Sequence, residues 1–177
     1  TVIGEGAAFF VLESLEGAKA RGANVVAEIL GYGASMDAHR VTAPDPEGRG
    51  ARLSMRRALL SAGRPRVGYV NAHGTGTRLN DAVEVAAIRA EVGDVPVGAS
   101  KSAFGHAMAA AGALEIAATL LCFTHGQCAP TLHLDDVDPE CAADHVTAAR
   151  RFQGDVALKN SFGFGGQNAT LIIGAPP

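Results

Sequence analysis

Short apolar runs alternate along this chain with helical segments, and several of the joins are clusters of glycine. Glycine makes up 22 of 177 residues, about 12% against roughly 7% in average proteins. The glycines gather in tight groups, which marks shaped loops rather than a linker. Strands that alternate with helices across short joins argue for an α/β sheet covered by helices on both faces.

The pattern predicts a buried strand over residues 7–12, a helix over 15–21 and a strand over 25–32. A proline-bearing loop follows, then a helix with a basic face over 52–62 and a strand over 67–72. Residues 81–92 read as a helix with Glu84 placed as in a capping box, and 95–99 as a short strand. An almost wholly apolar helix is expected over 106–123, and final strands over 156–160 and 169–173, joined by a glycine turn at 163–166. The length fits one domain, 1–177.

Composition narrows the function. The net charge of −3 and pI near 6.0 imply no general attraction to nucleic acid or anionic lipid. Three cysteines at irregular spacing do not form a disulfide framework, and no charged-then-apolar leader opens the sequence, so a reducing cytoplasm is the expected setting. The longest apolar stretch contains Gly112 and Glu115, which suits a buried helix better than a membrane span.

Three loops carry residues able to do chemistry. Asn71-Ala72-His73-Gly74-Thr75-Gly76-Thr77 follows a strand and precedes a helix, the place where open α/β sheets bind ligands. It combines glycines, two hydroxyls and an imidazole that can donate or accept a proton; the same loop would also serve as a tight turn around a hydrogen-bonded histidine. The second loop runs from Ser100-Lys101-Ser102 to Gly105-His106, with Lys101 either solvated or functional. The third, Lys159-Asn160-Ser161-Phe162-Gly163-Phe164-Gly165-Gly166, looks like a dinucleotide fingerprint but continues into a strand where a phosphate site needs a helix. Cys122, His125, Cys128 and His133 fit no standard zinc spacing.

In these three loops, together with Gly4-Glu5-Gly6-Ala7 and Glu115, the sequence resembles the C-terminal half of β-ketoacyl-acyl carrier protein synthases. The resemblance covers almost the whole chain, in family order, and is closest to the elongating enzymes of type II fatty acid and polyketide systems. It implies a thiolase-like, layered α-β-α half with a mixed sheet covered by helices, completed by an N-terminal half on another chain that carries the nucleophilic cysteine. Cys122, Cys128 and Cys141 lack that nucleophile's context. A naturally split or cleaved synthase and a fragment of a longer product both explain such a half.

The resemblance also implies roles. His73 and His106 would be the paired histidines of malonyl decarboxylation and condensation, with Lys101 the active-site lysine. Phe164 would be the gate to the acyl pocket, its backbone N–H helping to hold the acyl thioester oxygen. Thr75 and Thr77 would touch the pantetheine arm, and Phe162, Gly163 and Gly165 would shape the substrate site. Glu115, Asn71, Asn160, Asp81 and Glu84 would form a buried polar cluster. No cofactor is implied beyond the phosphopantetheine arm of the acyl carrier protein, and no metal beyond a monovalent cation near Asn71, Glu115, Lys159 and Asn160. The expected partners are the cysteine-bearing half and the carrier protein, within a homodimeric or heterodimeric assembly, with no nucleic acid or membrane. A non-catalytic, chain-length-factor-like subunit is the alternative, although such partners commonly lose both histidines. Arg49, Arg52, Arg56, Arg57, Arg64 and Arg66 form a basic stretch that would face an acidic carrier protein or simply water.

Overall fold

The computed structural model describes residues 1–177. In chain order the regular elements are α1 (Leu15–Ala20), β1 (Glu28–Met36), α2 (Arg49–Ser61), β2 (Tyr69–Asn71), α3 (Arg78–Glu91), β3 (Val97–Gly98) and α4 (Lys101–Phe104). They continue with α5 (Ala111–His125), β4 (Gln127–Cys128), β5 (Arg150–Arg151), β6 (Val156–Gly163) and β7 (Gln167–Gly174). Five strands form a mixed sheet in the order β1-β7-β6-β2-β3, and β4 and β5 make a separate two-stranded ribbon. The pairs β1–β7 and β7–β6 are antiparallel, whereas β6–β2 and β2–β3 are parallel.

This topology brings the three loops together. Asn71, the last residue of β2, lies opposite both Gly98 on β3 and Lys159 on β6. Because these strands run in parallel, their carboxyl ends share one edge. The loop with His73, the turn entering α4 at Lys101 and the segment from Asn160 to Phe162 therefore converge from separate parts of the sequence.

Helices cover both faces. The α2 side chains Ala51, Ser54, Met55, Ala58 and Leu59 repeat at helical spacing, are buried, and pack toward β1 and β7 in the main core with Val70, Leu158 and Ile172. The helix lies so close that a Cβ on Gly33 would stand 2.0 Å from the Ser54 carbonyl oxygen. On the other face, α5 packs on β6, where Cys122 joins Tyr69, Phe152 and Ala157 in a second apolar cluster.

Several expectations are corrected. Residues 7–12 form no strand, and Phe9, Val11 and Leu12 are exposed, because no strand of this chain lies beside them to complete a ladder. The strand expected to end at Tyr32 extends to Met36; Gly31 and Gly33 are not terminators but the places where α2 sits on β1. Helix α3 begins at Arg78, and Glu84 lies seven residues past its N-cap Thr77, so it caps nothing. A 3-10 turn, Met108–Ala110, precedes α5. The burial of α5 is inverted relative to its composition: Ala111, Glu115, Thr119 and Cys122 are buried, while Leu121 is exposed. Residues 108–125 are long and apolar enough to cross a membrane by length and composition alone. Their carboxylate is nonetheless spent on contacts inside this fold.

Candidate active site

His73 is 7% exposed, and its ring meets that of His106 edge-on at 5.6 Å between centroids and 87° between planes. Phe162 also packs against His73, its ring tilted at 55° and 5.7 Å away by centroid. His106 lies in the turn between α4 and the 3-10 segment, half-buried, and lines a cleft of about 930 Å³ together with Lys101, Gly74, Thr75 and Thr77. The two imidazoles predicted to pair thus do so across 32 intervening residues of sequence.

The proton positions follow from the neighbours of each ring. Lys101 Nζ lies 3.2 Å from His73 Nδ1 and also donates to the His73 carbonyl oxygen and to Glu115. A lysine offers only donors, so Nδ1 accepts and the His73 proton sits on Nε2. At His106, the backbone N–H of Met108 donates to Nδ1 at 3.1 Å, which fixes the same tautomer. Met108 adopts φ +48 to make that turn. Sequence gives no sign of this device, because the donor is a backbone group. Both rings are therefore neutral Nε2–H donors.

Charge supports that state. Burial, assisted by the Lys101 and Lys159 ammoniums and by His106, pushes the His73 pKa down to about 2. Burial and Lys101 also lower His106, against the pull of Glu115. A depressed histidine pKa means that the unfolded chain binds protons which the native protein refuses. The contribution of His73 is accordingly full above about pH 6.5, and as pH falls from there toward 2 it is lost by up to about 1.4 kcal/mol per pH unit; the lowered His106 acts in the same direction. Thermal unfolding between pH 8 and pH 5 should show the midpoint falling below pH 6.5; a midpoint that rose with acid would contradict neutral histidines.

Glu84 supports the histidine loop. Its carboxylate accepts from the backbone N–H groups of His73 (2.8 Å) and Gly74 (2.9 Å) and from Asn160 Nδ2 (3.0 Å). Burial raises its pKa, and these N–H donors pull the other way. Asn71 Nδ2 donates to Ser100 Oγ, the Glu115 carbonyl oxygen and Thr119 Oγ1, all at 3.0 Å. Glu115 is fully buried between Lys101 and Lys159, with Lys159 Nζ 2.7 Å from Oε2.

The expected polar cluster thus exists, with different partners. Asn160 pairs with Glu84 and Thr170, and Lys159 joins the cluster by its side chain, which reaches Glu115. Asp81 stays outside, half-buried beside Asn80. Ser100, Thr119 and Thr170 complete the network; the sequence offered only their hydroxyls and no indication of direction. The residues named for a monovalent cation do not fit one. The Asn71 amide oxygen takes the Ser100 hydroxyl, the Asn160 amide oxygen takes the Thr170 hydroxyl, and an ammonium already sits on each Glu115 oxygen.

Thr75 and Thr77 join hydroxyls at 2.8 Å on the exposed lip of the cleft. Phe164 projects from the β6–β7 turn, 75% exposed, and the adjoining Gly165 uses φ +82 and donates its N–H to the Val41 carbonyl oxygen at 2.6 Å. Gly163, the last residue of β6, is exposed beside it. The basic stretch is largely engaged within the fold: Arg49 pairs with Asp45, and Arg52 and Arg56 with Glu91. None of the three cysteines is an activated thiol. Burial raises all three, Cys128 to about 11.

The sheet and its two helical layers form a thiolase-like half-domain, with the paired histidines at the carboxyl edge of the sheet. Residues 26–135 match the family described as "Beta-ketoacyl synthase, C-terminal domain", and the chain belongs to that family. It is 44% identical over 179 aligned residues to a 3-oxoacyl-[acyl-carrier-protein] synthase 2 of Synechocystis sp., covering 97% of this chain and 43% of that protein. Among solved structures, the ishigamide ketosynthase/chain length factor superposes with a TM-score of 0.88 at 42% identity, over 93% of this chain and 42% of the other. A type II polyketide acyl-carrier protein in complex with its ketosynthase bound to the hexaketide gives a TM-score of 0.88 at 33% identity, with the same coverage of both chains. The chain thus spans about two fifths of the length of the relatives it matches.

Proposed function

We propose that this chain is the decarboxylating half of a β-ketoacyl-acyl carrier protein synthase, completed by an N-terminal half that supplies the nucleophilic cysteine. The observation that carries the reading is the convergence of two neutral imidazoles, each with its proton on Nε2. When the bond to the malonyl carboxylate breaks, carbon dioxide leaves and the electron pair remains as an enolate whose oxygen carries the charge. Two N–H donors aimed at that oxygen stabilise it, each worth roughly 3–4 kcal/mol by analogy with other oxyanion holes. The enolate carbon then attacks the acyl thioester of the partner's cysteine; the new carbon–carbon bond forms as the carbon–sulfur bond breaks and thiolate leaves.

Lys101 acts through His73: it holds the tautomer and resists protonation of the ring. Phe162 packs on His73, the exposed turn with Gly163, Phe164 and Gly165 is where the acyl chain would enter, and Thr75 and Thr77, which line the cleft, would touch the pantetheine arm. Carrier protein and companion subunit are natural partners for this reading, since solved relatives are a ketosynthase with its chain length factor and a ketosynthase with its carrier protein. Exposed Phe9, Val11 and Leu12 offer apolar surface for the second half. A chain-length-factor role would leave the lysine and backbone donor that fix the two tautomers without a purpose.

Native purification followed by mass spectrometry tests the proposal. A cysteine-bearing companion of similar fold should copurify, become acylated, and release carbon dioxide from malonyl-carrier protein. A stable, monodisperse chain with no companion and no carbon dioxide release would overturn it.

A further inference from the structure

The buried cluster beneath His73 is balanced by this chain's own side chains. Glu84 and Glu115 are 1% and 0% exposed; Lys101 and Lys159 are 7% and 2% exposed. That is two carboxylates against two ammoniums, so an added cation would leave an uncompensated charge in a dry site. Lys101 is committed to His73 and to one oxygen of Glu115. The other oxygen, Oε2, has no hydrogen-bond partner, and its neighbour at 2.7 Å is Lys159 Nζ. Lys159 also donates to the Asn160 carbonyl oxygen and to Ser161 Oγ, at 3.1 Å for the hydroxyl. A carboxylate oxygen, a carbonyl oxygen and a hydroxyl oxygen around one positive centre form the kind of oxygen set that a hard monovalent cation takes. No carboxamide oxygen is free to bind a second one.

We propose that the Lys159 ammonium is a built-in counter-cation, which makes the polar cluster beneath the histidines independent of exchangeable potassium or sodium. The ammonium is covalently tethered to β6, whose pairing with β2 fixes it opposite Asn71. Burial, with Lys101, lowers its pKa, while Glu115 and Glu84 pull toward the charged form. The inference concerns the cluster alone and stands whether or not the chain performs the reaction proposed above.

Thermal unfolding of the natively isolated assembly in potassium, sodium or choline chloride at equal ionic strength tests it. The wild-type midpoint should be the same in all three salts; specific stabilisation by potassium or sodium over choline would overturn the proposal. Lys159→Ser opens the site while keeping a hydroxyl. Its midpoint in choline should fall by roughly 10 °C and recover saturably with potassium or sodium. A variant as stable as wild type in choline, or one whose loss no cation reverses, would overturn it. If the variant does not fold, rubidium soaked into wild-type crystals decides: the proposal expects no anomalous peak beside Glu115 Oε2, and a peak there refutes it.

Discussion

Replacing His73 by alanine in the assembled enzyme is expected to lower malonyl decarboxylation by about 10²–10³-fold while acyl loading of the partner's cysteine is partly retained. The asymmetry comes from what the ring touches. In the proposed reaction His73 presents one of two Nε2–H donors to the developing enolate, and its removal would leave the neighbouring His106 to carry that charge alone. Acyl loading needs a thiol from elsewhere and an oxyanion site that does not include this ring. His106→Ala should behave alike, and the double variant should cost less than the two losses combined, because the donors serve one oxygen. Single-turnover release of labelled carbon dioxide, measured beside mass-spectrometric acyl loading, separates the steps. Unchanged carbon dioxide release from His73→Ala would defeat the role assignment.

Glu115→Gln is expected to destabilise the protein by about 3–5 kcal/mol. The substitution keeps the shape of the side chain but leaves the Lys101 and Lys159 ammoniums facing each other without a counter-charge in a fully buried site. Burial already lowers the Lys159 pKa, and losing the carboxylate lowers it further. The native variant then holds fewer protons than its unfolded chain, so its stability rises with pH and the deficit shrinks toward about pH 10. A second change, Lys159→Met, should return part of the loss by removing the surplus charge. Urea unfolding at pH 7 and pH 9.5 measures both effects; a deficit below about 1 kcal/mol at neutral pH, or one that grew with pH, would contradict the pairing.

The positions of His73 and Lys101 were legible because each closely follows a short strand, β2 or β3, and strand ends are where an α/β sheet exposes its loops; His106 follows Gly105 at the end of α4 in the same loop region. The sheet with helices on both faces was legible in the alternation of strands and helices; that it is mixed followed only from the family resemblance. Side-chain direction was not. Along β6 the consecutive residues Lys159 and Asn160 point to opposite faces, one reaching Glu115 and the other Glu84, and only the strand register decides which. Glu84 read as a helix cap because its spacing to the preceding loop resembles one, yet its partners are the backbone N–H groups of the histidine loop. Residues 7–12 read as a buried strand because apolar runs carry no record of which chain, if any, pairs with them. The tautomer of His106 depends on a backbone N–H brought round by a left-handed turn at Met108, which no residue pattern announces.

Nitrogen-15 spectroscopy of the histidine side chains in the assembled protein at pH 7 tests the account at its centre. Both His73 and His106 should appear as neutral rings protonated at Nε2, with His73 unchanged down to pH 5. A charged imidazole at either position, or a proton on Nδ1, would remove one of the two donors on which stabilisation of the enolate rests.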